Sequence, residues 1–187
     1  MKQTAVIRLF QPGIVLFDPQ VFHAFVQAHL APGEQPFQRF VDDPALGDKA
    51  TRCGAALPMY PVEEDDYAVF VESEVPPEGA RRHFTHAGAP LRLESGVVIA
   101  ADLGAVMNWE AEFFLHYRHH LQDRLLNTDY LEVAPGCYDV GINGYTRLPQ
   151  PHPPQGYGLV LRRVDVLSDT RADDDVDFAL PVAPPQA

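Results

Sequence analysis

The chain has almost no lysine. Of its 187 residues only Lys2 and Lys49 carry an ammonium group, and the other twelve of its fourteen bases are arginine. Against them stand 26 acids, for a formal net charge of −12. A nucleic-acid partner needs a basic surface to displace counterions, so that class is disfavoured, and an anionic membrane is repelled for the same reason. A phosphate-binding loop needs glycines leading into a helix and a lysine, and neither lysine sits in such a context. Cysteine is equally scarce. Cys53 and Cys137 are far apart, make no metal-knuckle spacing and suggest no disulfide scaffold, which predicts buried thiols in a reducing cytoplasm. No uninterrupted apolar run is long enough to cross a bilayer. The N-terminus MKQTAVIRLFQPG alternates instead of offering an apolar block and a small-residue cleavage site, so it reads as a strand and not a signal peptide. There is no Gly-x-Ser-x-Gly elbow, and no spacing pairs either thiol with a histidine, so hydrolase chemistry of those kinds has no signature.

Turn formers, by contrast, are plentiful: eighteen prolines and thirteen glycines suit short strands joined by tight turns. TAVIRLF (4–10) alternates as a strand, and IVLF (14–17) is a short, continuously apolar second one. Asp18 is placed as a helix N-cap with Pro19 at the first helical position. Phe22, Phe25, Val26 and His29 then share a side, and Pro32-Gly33 ends the helix. Residues 34–62 hold four prolines and weak periodicity, and are read as a loop with one short helical turn. YAVFVESEV (67–75), RHFTH (82–86) and LRLESGVVIAA (91–101) are strands, the last a hairpin across Ser95-Gly96. In DYLEVAPGCYDVGINGY (129–145) Leu131 and Val133 face one way. Ala134-Pro135-Gly136 then turns a corner, and Tyr138, Val140 and Ile142 line one face while Asp139 and Asn143 face water. YGLVLRRVDVL (157–167) is a last strand. The fold class that follows is mostly β (α+β): an antiparallel β-sandwich or flattened barrel with one or two helices, in a single domain over 1–167. Residues 168–187, with ADDD and terminal prolines, read as a loosely ordered acidic tail.

Residues 108–126, NWEAEFFLHYRHHLQDRLL, fit two periods. As a helix, Phe114, Leu121 and Leu125 cluster on one side; as a strand, Ala111, Phe113, Leu115 and Tyr117 alternate. The absence of Gly and Pro favours the helix. On that helix Glu112, His116, His119 and Asp123 would share a face, and imidazole with carboxylate could hold zinc or iron; a solvated face is the plainer reading. His83 and His86 would point to opposite faces of a strand. His23, His29 and His152 stand alone.

The acidic runs bear most on function. EEDD (63–66) leads to Glu72, Glu74 and Glu78 without an intervening base, and Asp173, Asp174, Asp175 and Asp177 form a second run. Adjacent acids are solvated more often than paired in a cleft for acid–base work. Solubility alone accounts for such runs; a basic partner's footprint is the functional reading.

Three stretches, FQPGIVLFDP, APLRLESGVVI and LEVAPGCYDVGINGY, occur in an order that resembles the family of competence protein J, a small acidic inhibitor of a bacterial nuclease. They are framework residues covering about a quarter of the chain. The histidine-rich segment before the corner and the tail depart from the pattern. The resemblance implies a β-sandwich able to occupy a nuclease or toxin as an inhibitor or immunity protein. The expectation is therefore a cytoplasmic, non-enzymatic protein without cofactor. Glu63, Glu64, Asp65, Asp66, Glu72 and Glu74 would meet the arginines and lysines of a basic protein partner. The alternatives are a metal-binding protein or metal-dependent enzyme built on 112–123, and a β-sandwich that binds a small molecule between its layers.

Overall fold

In a computed structural model, which describes residues 1–73, 77–119, 125–167 and 176–181, two sheets and a helical layer stack in that order. The strands are β1 (Thr4–Arg8), β2 (Ile14–Phe17), β3 (Leu57–Met59), β4 (Asp66–Val71), β5 (Arg81–Leu93), β6 (Val97–Asp102), β7 (Thr128–Glu132), β8 (Gly136–Thr146) and β9 (Gln155–Val164). The larger sheet has the order β1-β4-β9-β8-β5 and the smaller β3-β2-β6-β7. Every pairing is antiparallel except β4 with β9. The mostly-β sandwich expected from the sequence is present as two open sheets, not a closed barrel.

Alternation explains which faces meet. Ile7, Tyr67, Val69, Leu91, Val140, Ile142 and Leu159 of the larger sheet pack on Ile14, Leu16, Met59, Val98 and Leu131 of the smaller one. The other face of the smaller sheet is buried too. Val15, Phe17, Val97, Ile99 and Ala101 lie under Phe22, Val106, Phe114 and Tyr117 of the helical layer. Burial on both faces is why IVLF and VVIA are continuous apolar runs instead of alternating ones.

The helices are α1 (Pro19–His29), α2 (Pro36–Asp42), α3 (Pro44–Arg52), α4 (Gly104–Met107) and α5 (Ala111–Leu115), five among the described residues where one or two were expected. Asp18 caps α1 as expected, accepting from Gln20 N at 2.8 Å and Val21 N at 3.1 Å. The region expected to be a loop, 34–62, instead holds α2, α3 and β3. Asp43-Pro44 repeats the Asp18-Pro19 signal, with the Asp43 carboxylate accepting from Leu46 N at 3.3 Å. The described part of 108–126, which leaves out 120–124 and with them Leu121, is neither one helix nor a strand. α5 breaks at His116, a 3₁₀ turn runs Tyr117–His119, and Leu125 is exposed instead of joining Phe114 in the core.

The hairpin expected across Ser95-Gly96 does not form. β5 and β6 belong to different sheets, so 94–96 is a crossing between layers. The Ala134-Pro135-Gly136 corner crosses back from β7 to β8 in the same place, with Val133 N donating to Gly96 O at 3.2 Å. A two-stranded ribbon, β5–β8 continuing into β6–β7, is thus folded over on itself. The second carboxylate oxygen of Asp18 pins the fold, accepting from Glu94 N (2.9 Å), Ser95 N (2.7 Å) and Ser95 Oγ (2.7 Å).

The chain returns to the domain after the boundary expected at 167. Phe178 and Leu180 are buried in the main core, and Tyr157 Oη donates to Phe178 O at 2.8 Å. The described part of the expected acidic tail is therefore a plug, held by apolar contact with Phe84 and Tyr157. The Asp173–Asp175 run lies outside the described residues. Cys53 is exposed, not buried, and Cys137 is half-buried; both thiols are free. No described helix is long and apolar enough to cross a membrane.

Candidate functional site

One end of the sandwich gathers the loops that leave β1, β3 and β6 and enter β2, β4 and β7. Short hydrogen bonds hold them together. Leu9 N donates to Asp65 O at 2.9 Å, Arg8 N to Leu126 O at 2.8 Å, and Phe10 N to the Asp102 carboxylate at 3.3 Å. Asp102 is 1% exposed and also accepts from Asn127 Nδ2 at 2.9 Å, so a buried carboxylate ties two of the loops. Asp129 does the same nearby, accepting Val6 N at 3.0 Å and pairing with Lys2.

These tied loops present large apolar side chains to water. Phe10 is 51% exposed, Tyr60 58% and Leu126 66%, with Leu125 beside it and Met107 on the short helix after β6. Exposed carboxylates stand among them: Glu63, Glu64 and Asp65. Asp65 accepts from Gln155 Nε2 at 2.7 Å, which fixes it against the start of β9. Burial, and then the charges of Asp65 and Glu63, push the Tyr67 phenol well above its usual range; its hydroxyl donates to Glu63 O at 3.0 Å. A rigid, partly apolar and anionic surface is the result.

The six carboxylates expected to act together are divided by the fold. Glu63, Glu64 and Asp65 share the loop end. Asp66 is engaged by Arg8 through two bonds of 2.7 and 2.9 Å, and that hydrogen-bonded guanidinium holds its carboxyl below the ordinary range. Glu72 lies beyond the far end of β4, six residues or roughly 20 Å along the strand direction. There it accepts from Tyr145 Oη at 2.6 Å and Asn143 Nδ2 at 2.7 Å, over the bare backbone of Gly158. This contact also buries Asn143, which the alternation placed in water. Glu74 lies outside the described residues.

The expected metal face is interrupted. Glu112 and His116 lie 3.6 Å apart on an exposed turn, and the His116 and His119 rings are 6.4 Å apart across the break after α5. Asp123 lies outside the described residues, and among those described no group of three or more His, Cys, Asp or Glu side chains could hold a metal ion.

A cavity of about 370 Å³ opens between the α2–α3 pair and the smaller sheet, lined by Phe22, Phe37, Phe40, Pro58, Tyr60 and Val106. It lies outside the β layers, not between them as a ligand-binding sandwich would have it. The alternation of TAVIRLF hid Phe10, which reads as strand interior but falls just past β1. Leu125 and Leu126 were hidden by the helical reading of 108–126. Clustering of exposed apolar residues on separate loops has no signal along one chain.

No family model matches this chain, and no curated protein does. Among solved structures, a chain described as Crocagin biosynthetic gene J is similar at 14% identity with a TM-score of 0.47. The likeness covers 87% of this chain and 98% of that one.

Proposed function

We propose that the protein works by holding a cationic protein partner against this loop end, in the manner of a nuclease inhibitor or toxin-immunity protein. The observation that carries the reading is the placement of Glu63, Glu64 and Asp65 among exposed Phe10, Tyr60 and Leu126 on hydrogen-bonded loops. Aromatic and aliphatic anchors that exclude water, surrounded by charge, are what a specific interface needs, and charge of one sign selects a partner of the other. Carboxylates presented here would occupy arginines and lysines that otherwise grip phosphate. The rigidity of the loops reduces the ordering cost of association.

The test is affinity purification from the source cells with the intact chain and with Glu63→Gln/Glu64→Gln and Phe10→Ser variants, followed by titration of the captured protein. A cationic partner is expected, bound about tenfold or more weakly at high salt and lost by both variants. A partner whose affinity ignores ionic strength and both substitutions would remove this reading.

A second reading has its own observation. A cavity of about 370 Å³ with mostly apolar walls falls within the range of small-molecule sites of roughly 300–1,000 Å³. Thermal-shift screening against apolar and aromatic compounds tests it, and Phe40→Trp, which fills the space, is expected to abolish any hit.

A further inference from the structure

Some described cations of this acidic chain are paired with carboxylates and others, Lys49, Arg52 and Arg163 among them, are not. Lys2, Arg8, Arg39, Arg92, Arg118 and Arg162 each meet a carboxylate. Arg81, Arg82 and Arg147 meet none within 4 Å among the described residues, although all three are exposed on a molecule rich in acids. Arg81 and Arg147 also flank Thr146, whereas Arg82 takes the opposite face of β5 beside Tyr145. Arg81 pairs across the sheet with Thr146 and Arg82 with Tyr145, and Arg147 follows in the turn. Arg147 has φ 59°, in the left-handed region that residues with a Cβ seldom adopt, and is alone in this among described non-glycine residues. The turn beyond it is closed by Leu148 N donating to Pro154 O at 2.9 Å, so the direction of the Arg147 side chain is set by the loop.

On the opposite face Glu72 is taken by Asn143 and by the Tyr145 hydroxyl, and Arg82 reaches that same phenol oxygen. At the base of the cluster the His83 ring lies 2.7 Å from Thr146 Oγ1. Burial, then the charges of Arg81 and Arg147, hold this imidazole below its ordinary range, which places both guanidinium groups in its field.

We propose that Arg81 and Arg147, with His83 and Thr146 at their base, form a binding site for an oxyanion, the phosphate or carboxylate group of a small ligand. Guanidinium groups offer planar, paired donors matched to either anion, and an anion relieves the repulsion among cations held side by side. The site is independent of the acidic loop surface. Rows of paired residues place it at the same end of the larger sheet, three strand spacings or about 14 Å from β4.

The experiment is a titration of the isotopically labelled full chain with pyrophosphate and, separately, with citrate at fixed ionic strength, read by NMR. Saturable shifts confined to 81–83 and 145–147 are expected, with a rise in the His83 titration midpoint as the anion offsets the arginine charges. An Arg81→Gln/Arg147→Gly variant should bind about tenfold more weakly or worse, and glycine suits the backbone at 147, so folding is kept. Tighter pyrophosphate identifies a phosphoryl ligand and tighter citrate a carboxylate. Shifts spread over every arginine, or unchanged affinity in the double variant, would overturn the site.

Discussion

Asp18 shows how much a single buried carboxylate can organise. Its two oxygens accept five hydrogen bonds, two from the first turn of α1 and three from the crossing at 94–95. Asp18→Ala would leave these donors without partners in a dry site, so a loss of about 3 kcal/mol or more is expected in urea unfolding. Asp18→Asn should cost nearly as much, because its amide turns a donor toward a wall of donors, whereas Ser95→Ala removes one of the five donors to Asp18 and the hydroxyl that accepts from Val97 N, and should cost about 1–2 kcal/mol. Tyr145 offers a second test through pH. Burial, then the bond to Glu72 and its charge, push the phenol up to about 12. The folded state therefore favours the protonated ring, and its contribution is complete below about pH 10, the unfolded value, and lost as pH rises toward 12. In Glu72→Gln that alkaline loss should shrink, measured as unfolding free energy between pH 9 and about 12. The N-cap role of Asp18 was legible because it depends on neighbours in sequence. Its grip on Ser95 was not, since nothing local connects residues 77 positions apart.

Among the elements, the β4–β9 pair is the most exacting. A Cβ at Gly156 would collide with the Ala68 carbonyl oxygen, a backbone atom that cannot move without breaking the pairing. One at Gly158 would meet the Glu72 carboxylate, the mobile end of a side chain. Gly156→Ala is expected to cost about 3 kcal/mol or more and Gly158→Ala about 1–2 kcal/mol, with only the second shifting the Tyr145 titration downward. Chemical denaturation with a pH series separates the two. The strands themselves were readable wherever alternation or an apolar run marked a buried face, as in 4–8, 14–17 and 136–146. Their partners were not. Ser95-Gly96 is a sound turn signal, yet a turn that changes layers has the same residues as one that makes a hairpin. In 34–62, frequent prolines suggested a loop, although two of them are first helical residues whose missing amide costs nothing. Short helices broken at His116 erased the period that 108–126 seemed to carry, and with it the face shared by Glu112, His116 and His119.

For the molecule as a whole, the surplus of acid has two uses that composition cannot separate. Asp18, Asp102 and Asp129 are buried acceptors of backbone amides, Asp66 is paired with Arg8, and only part of the remainder forms a continuous surface with Phe10 and Leu126. Removing exposed charge should therefore leave stability nearly untouched: Glu63→Gln/Glu64→Gln is expected to unfold within about 0.5 kcal/mol of the parent. The end plug behaves oppositely. Phe178→Ala empties a place in the main core and should cost about 3 kcal/mol, and ending the chain at 167 should cost more and open the sheet edge to proteases. Strand order carries a consequence for the birth of the protein. β9 lies between β4 and β8, so an inner strand of the larger sheet is the last of the described strands to be synthesised, and the plug follows it. Until that segment clears the ribosome, β4 has no inner neighbour, so completion of the larger sheet belongs to the end of synthesis.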